Sequence, residues 1–200
     1  MSEYVLEDIK QTFSRLFVAA TEKKMHLSYF TNVLAKSDYV RKIEQAELME
    51  IVNIPFNILY QLLFDDKILE ETGYGVFNDA YWSGHSYFEL FLLTHRPFSY
   101  IFLKLPLEKM LDVYSIFHEM DFSALLQYFK RLETENTILR LLCKEKGVSL
   151  NELSQITGIS SNTLKKYNAS DAALYKASFQ HIYKLSRFFN VSISLFAEIL

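Results

Sequence analysis

Apolar side chains recur at helical spacing along almost the whole chain, and this periodicity is the strongest constraint on its fold. From Glu3 to Lys24 they fall at Tyr4, Leu6, Ile9, Phe13, Leu16, Phe17 and Ala20. A strand would alternate every second residue, so the segment predicts an amphipathic helix. Similar runs cover Leu27 to Leu34, Ile54 to Phe64 and Asp79 to Leu93. Pro55, Pro97 and Pro106 each precede such a run and suit the first turn of a helix, where the missing N–H costs nothing. Val113 to Phe117 has strand propensity but no turn chemistry and no partner strand, so it too reads as helical. The expected fold class is all-α.

Composition supports a packed chain. Half of the 200 residues are hydrophobic and 16% are aromatic, against only 5 Gly and 3 Pro. Disordered tails and low-complexity linkers lack the apolar surface needed to offset chain entropy, and both are excluded. The single cysteine, Cys143, allows no internal disulfide and no cysteine-built zinc site. The N-terminus lacks a basic-then-apolar leader, and the most apolar stretch, Phe88 to Leu93, is far shorter than the ~20 residues that span a bilayer. These features predict a cytoplasmic protein with no membrane segment.

Net charge is −3, but it is unevenly distributed. Residues 134–200 carry eight Lys/Arg and five acids, whereas residues 1–133 carry 13 basic and 19 acidic side chains. Between Ser160 and Asn190 five basic groups face the single Asp171, the local excess that a phosphate-contacting surface requires. The charge switch sets an expected boundary, with a helical domain over 1–133 for dimerisation or partner binding and a second domain over 134–200.

The second domain opens with Asn136-Thr137, a candidate N-cap, before a helix marked by Ile138, Leu141 and Leu142 that stops at Gly147. Ser149-Leu150-Asn151-Glu152 then has the capping-box pattern. Leu153 and Ile156 are expected to form the buried face of this next helix, with Ser154 small enough for a close helix crossing. Gly158 breaks the helix, Ile159 plugs the turn, and Ser160 can cap a third helix over Ser161 to Tyr167 with Leu164 and Tyr167 inward. A small residue, a glycine four positions on and an aliphatic six further on is the spacing of a helix-turn-helix. A fourth helix is expected over Phe179 to Phe189, with Ile182, Leu185 and Phe188 inward and Lys184 and Arg187 outward. A fifth is expected from Ser192 to the C-terminus.

With Leu164 and Tyr167 committed to the core, the exposed side of the third helix shows Ser161, Asn162, Lys165 and Lys166. Asn can pair bidentately with adenine, Ser tolerates several bases, and lysines reach guanine edges or phosphates. With the flanking polar residues, the expected DNA-contacting set is Asn151, Ser160, Ser161, Asn162, Thr163, Lys165, Lys166 and Lys176.

Residues 137–200 resemble the lambda-repressor-like (Xre-type) DNA-binding domain. The match is closest from Gly147-Val148-Ser149 through Thr163-Leu164-Lys165-Lys166-Tyr167. The family usually has Gln where Leu150 stands, as a phosphate contact, and Glu where Asn168 stands. The resemblance implies a five-helix domain that binds double-stranded DNA. In the first domain, Ser37-Asp38-Tyr39 with Ile43-Glu44, Ala80-Tyr81-Trp82-Ser83-Gly84, and Val113-Tyr114 with His118-Glu119-Met120-Asp121 are similar to bacterial regulators that place a helical domain before an Xre-type domain. Genes of that kind often lie beside toxin-like genes, so this second resemblance implies a regulator or antitoxin with a toxin-like partner.

Catalytic signatures are missing from the sequence. No nucleophile elbow is present, and Gly73 and Gly75 have neither the Lys nor the spacing of a phosphate-cradling loop. His118-Glu119-Met120-Asp121 lacks a second ligand cluster, and Asp121 suits an N-cap for Phe122 to Phe129. His26, His85, His95 and His181 are scattered, and Trp82, Tyr87, Phe88, Phe91, Phe98, Tyr100 and Phe102 read as core or interface. The reading is a sequence-specific, autoregulatory DNA-binding regulator, a homodimer with neither catalytic residues nor a metal or other cofactor. The alternative is a protein-binding inhibitor acting through the first domain.

Overall fold

The computed structural model describes residues 3–65 and 79–196. Every regular element among them is helical. The chain packs as two compact units, residues 1–102 with 106–122, and residues 103–105 with 123–200. This division falls one helix before the charge switch.

The first unit contains α1 (Glu3–Glu22), α2 (Leu27–Lys36), α3 (Asp38–Glu44), a 3-10 turn (Leu48–Glu50), α4 (Phe56–Phe64) and α5 (Asp79–Thr94). It continues with α6 (Phe98–Lys104), of which residues 103 and 104 pack in the other unit, then α7 (Leu107–Asp112) and α8 (Tyr114–Phe117). The periodic segments are thus helical, Tyr114 to Phe117 included, with Val113 as the cap between α7 and α8. Pro55 and Pro106 take N-cap positions, one residue before the first helical turn. Gly73 and Gly75 lie outside the described residues.

Rings fill the core of this unit. Phe13, Phe17, Phe30, Tyr87, Phe88 and Phe98 are fully buried, with Phe13 and Phe98 centroids 4.7 Å apart and Phe17 and Phe30 edge-to-face at 4.9 Å. Tyr100 and Phe102 are buried as well, whereas Trp82 and Phe91 are half-buried. α1 and α5 cross closely because Gly84 has no side chain at their crossing. A Cβ there would lie 2.6 Å from the Ser14 Cα and 2.8 Å from the Phe17 ring. Ser14 is buried at the same crossing and returns its hydroxyl hydrogen to the Lys10 carbonyl.

The second unit contains α9 (Phe122–Glu135, from Ser123), α10 (Ile138–Lys146), α11 (Leu150–Thr157), α12 (Ser161–Ala169), α13 (Asp171–Tyr175), α14 (Phe179–Phe189) and a 3-10 turn (Ile193–Phe196). α9 is six residues longer than the helix expected from Phe122 to Phe129, and α13 was not anticipated. The fifth helix expected from Ser192 appears as the 3-10 turn, and residues 197–200 lie outside the described residues.

On α10 the buried face is Ile138, Leu139, Leu142 and Cys143, with Leu141 half-exposed. Two expected core positions, Ile156 and Phe188, require correction. On α11 Ile156 is 63% exposed, and Thr157 is buried beside Leu153 instead. Thr157 can enter the core because its hydroxyl donates to the Leu153 carbonyl at 2.6 Å, so burial leaves no unmade hydrogen bond. On α14 Phe189 takes the inward place assigned to Phe188, which is half-buried under the Lys146 ammonium, 4.3 Å from its ring centroid.

Candidate nucleic-acid interface

Local chemistry fixes the ends of the three helices that matter most. The Thr137 hydroxyl accepts from the Arg140 N–H at the start of α10. Ser149 and Glu152 form both halves of the capping box on α11, with the Glu152 carboxylate accepting from the Ser149 N–H at 2.8 Å and from its hydroxyl at 2.7 Å. These two bonds hold the exposed Glu152 carboxyl below its usual pKa range. The Ser160 hydroxyl accepts from the Thr163 N–H at 3.1 Å and caps α12.

Glycine makes the two reversals possible. Gly147 ends α10 at φ +65° and Gly158 ends α11 at φ +67°, both in the left-handed region that L side chains avoid. Between Gly158 and α12, Ile159 is buried as the plug of the turn. Ser154 does more than allow close approach, since its hydroxyl donates to the Ile159 carbonyl at 2.7 Å and ties α11 to the turn.

This framework leaves one face of α12 open. Leu164 is fully buried and Tyr167 is nearly so, with the Tyr167 Oη 2.9 Å from the His181 Nδ1 of α14. Burial pushes the Tyr167 hydroxyl above its usual pKa. On the other side, Asn162, Lys165 and Lys166 are exposed at i, i+3 and i+4, neighbours on one helix face. None of the three side chains makes a hydrogen bond or ion pair within the described residues. Lys176, just after α13, is exposed in the same way.

The remaining expected residues are partly engaged. Ser161 Oγ donates to Asn151 Oδ1 at 3.4 Å, linking the first turns of α12 and α11. The Ser160 and Thr163 hydroxyls lie 2.8 Å apart, so capping occupies part of their capacity. Asn151 and Ser160 are nonetheless exposed, and Ser161 and Thr163 half-exposed. At the two departures from the resembled family, Leu150 is half-buried, and Asn168 offers its backbone carbonyl to the Thr137 hydroxyl at 3.0 Å.

His118, Glu119, Met120 and Asp121 are all exposed, and no group of three or more His, Cys, Asp or Glu side chains capable of holding a metal occurs among the described residues. No helix of the described residues is long and apolar enough to cross a membrane.

Comparison with known proteins bears on the second unit. No curated protein and no solved structure matches the chain. Residues 138–198 match the family model of the Cro/C1-type HTH DNA-binding domain, and residues before 138 lie outside that match. Helix α10 from Ile138, the Gly158 turn between α11 and α12, and the open basic face of α12 fall inside it. Among the described residues the regular structure is therefore all helical, and residues 138–198 carry the match to the Cro/C1-type helix-turn-helix, a DNA-binding domain.

Proposed function

We propose that the protein is a sequence-specific transcriptional regulator that acts on the DNA upstream of its own gene. The observation that carries the reading is the face of α12, where Asn162, Lys165 and Lys166 stand exposed while Leu164 and Tyr167 hold the opposite side in the core. In this arrangement Asn162 reads a base edge, and the lysines contact phosphates or guanine edges in the major groove. Lys176, together with the first turns of α11 and α12 around Asn151 and Ser161, contributes backbone contacts. The protein acts as a homodimer through residues 1–133, so that two heads meet half-sites about 10 bp apart or a multiple of that.

Mobility shift of the upstream DNA, competed with a mixed-sequence duplex of equal length, tests this. Binding that survives a large excess of competitor supports the proposal, and equal competition by both duplexes refutes sequence specificity.

A second role for residues 1–133, binding and inhibiting a toxin-like protein, is favoured by their acidic excess and by the exposed Met49 and Leu62. Co-purification with the product of the neighbouring gene is expected. Failure of that pair to associate leaves only the transcriptional role.

A further inference from the structure

A buried ammonium group of the second unit lies outside that unit's contiguous stretch. Lys104 is 67 residues from Asp171 in sequence, yet its side chain is 0% exposed and its Nζ lies 2.9 Å from Asp171 Oδ2. The same Nζ donates to the Glu133 carbonyl at 3.3 Å and to the Asn136 carbonyl. It therefore satisfies the C-terminal end of α9, where helix carbonyls lack partners. The other Asp171 oxygen, Oδ1, accepts from the Ile138 N–H at 2.7 Å, at the start of α10. Beside it, the Thr137 hydroxyl donates to the Asn168 carbonyl near the end of α12. Asp171 opens α13, which follows α12 directly, so one network joins the end of α9, the start of α10 and the exit of α12.

We propose that Lys104 is a positioning residue for DNA recognition, which makes the DNA-binding unit discontinuous in sequence. It cannot touch a phosphate, being fully buried. It acts through Asp171, by fixing the exit of α12 against the start of α10, and so sets the angle at which α12 presents Asn162, Lys165 and Lys166. Removing its charge leaves the partly buried Asp171 carboxylate without its counter-ion, a change that destabilises a site far more than replacing both members would. The local resemblance from residue 137 onward does not include this residue.

The inference rests on the DNA-binding reading above, and its tests separate the two. The full-length Lys104→Met variant is expected to melt roughly 5–10 °C lower. Well below that temperature, still folded by far-UV circular dichroism, it is expected to bind the upstream duplex about tenfold more weakly. The slope of log affinity against log salt should remain that of the parent, because no phosphate contact has been removed. Asp171→Asn, which keeps an oxygen for the Ile138 N–H but loses the charge pair, should shift affinity in the same direction.

Parent-like affinity in both variants overturns the proposal, and so does a flattened salt slope in Lys104→Met. Should Lys104→Met fail to fold, Asp171→Asn and amide exchange in the parent without DNA decide the matter. The Ile138 amide is expected to exchange as slowly as the Leu164 amide, and fast exchange at Ile138 would overturn the role assigned to the network. A parent chain that binds no duplex while Ile138 stays protected overturns the DNA-binding reading alone.

Discussion

Replacing Lys165 and Lys166 together by Ala removes two charges from the open face of α12 without touching its packing. Both are exposed, neither has a partner among the described residues, and the inward Leu164 and Tyr167 are unchanged. Alanine also favours helix, so α12 should persist. Each phosphate contact contributes about 0.9 to the slope of log affinity against log salt, so losing two should flatten it by roughly 1.8. Between 50 and 200 mM salt, a fourfold change, that difference makes the variant's defect about 12-fold larger at the low-salt end. Fluorescence anisotropy of a labelled upstream duplex over this range measures it directly. A slope equal to that of the parent would mean that neither lysine meets a phosphate, and an affinity equal as well would mean that the assignment of α12 to the duplex is wrong.

Other consequences concern stability and pH. Gly158→Ala should cost about 1–2 kcal/mol in denaturant unfolding, because φ is +67° and the nearest atom to a new Cβ, the Lys184 Nζ, is at an ordinary 3.6 Å. A cost below a few tenths would show that the turn relaxes. Gly84→Ala gains about 1 kcal/mol of helix propensity, yet its Cβ must displace the Ser14 backbone, and overpacking of this kind costs roughly 1–3 kcal/mol. A lowered melting temperature is expected, and an unchanged or raised one would contradict the close crossing of α1 and α5. The Glu152 carboxyl titrates lower in the folded state than in the unfolded chain. Its contribution is therefore present above the unfolded carboxylate pKa and lost as pH falls through the lower folded value. Glu152→Gln should show a smaller acid-side loss of stability than the parent, and identical pH profiles would refute the capping role.

Features set by local chemistry were legible in the sequence. Thr137, Ser149 and Ser160 cap the helices expected of them, and Gly147 and Gly158 take the positive φ that their positions after helix ends suggested. These signals depend on residues within a turn of one another. Leu164 and Tyr167 also lie inward as expected, neighbours three positions apart on one face of α12.

Where tertiary partners decide, the sequence was silent or misleading. Ile156 is more hydrophobic than Thr157, but Thr157 is the buried one, and it can satisfy its own hydroxyl within the helix. α13 is only five residues long and carries no periodicity to read. The Lys104–Asp171 pair spans 67 residues, and no local pattern marks a lysine for burial. The contact between Tyr167 and His181 belongs to the same class, because it exists only once α12 and α14 have packed.

In the proposed function the exposed side of α12 enters a DNA groove. Backbone amide spectra of the full chain, titrated with the upstream duplex, test it most directly. The largest shifts should cluster at residues 160–166 and around Lys176, while residues of α1 and α5 stay near their free positions. Shifts confined to residues 1–122, or spread evenly along the chain with α12 unmoved, would contradict it.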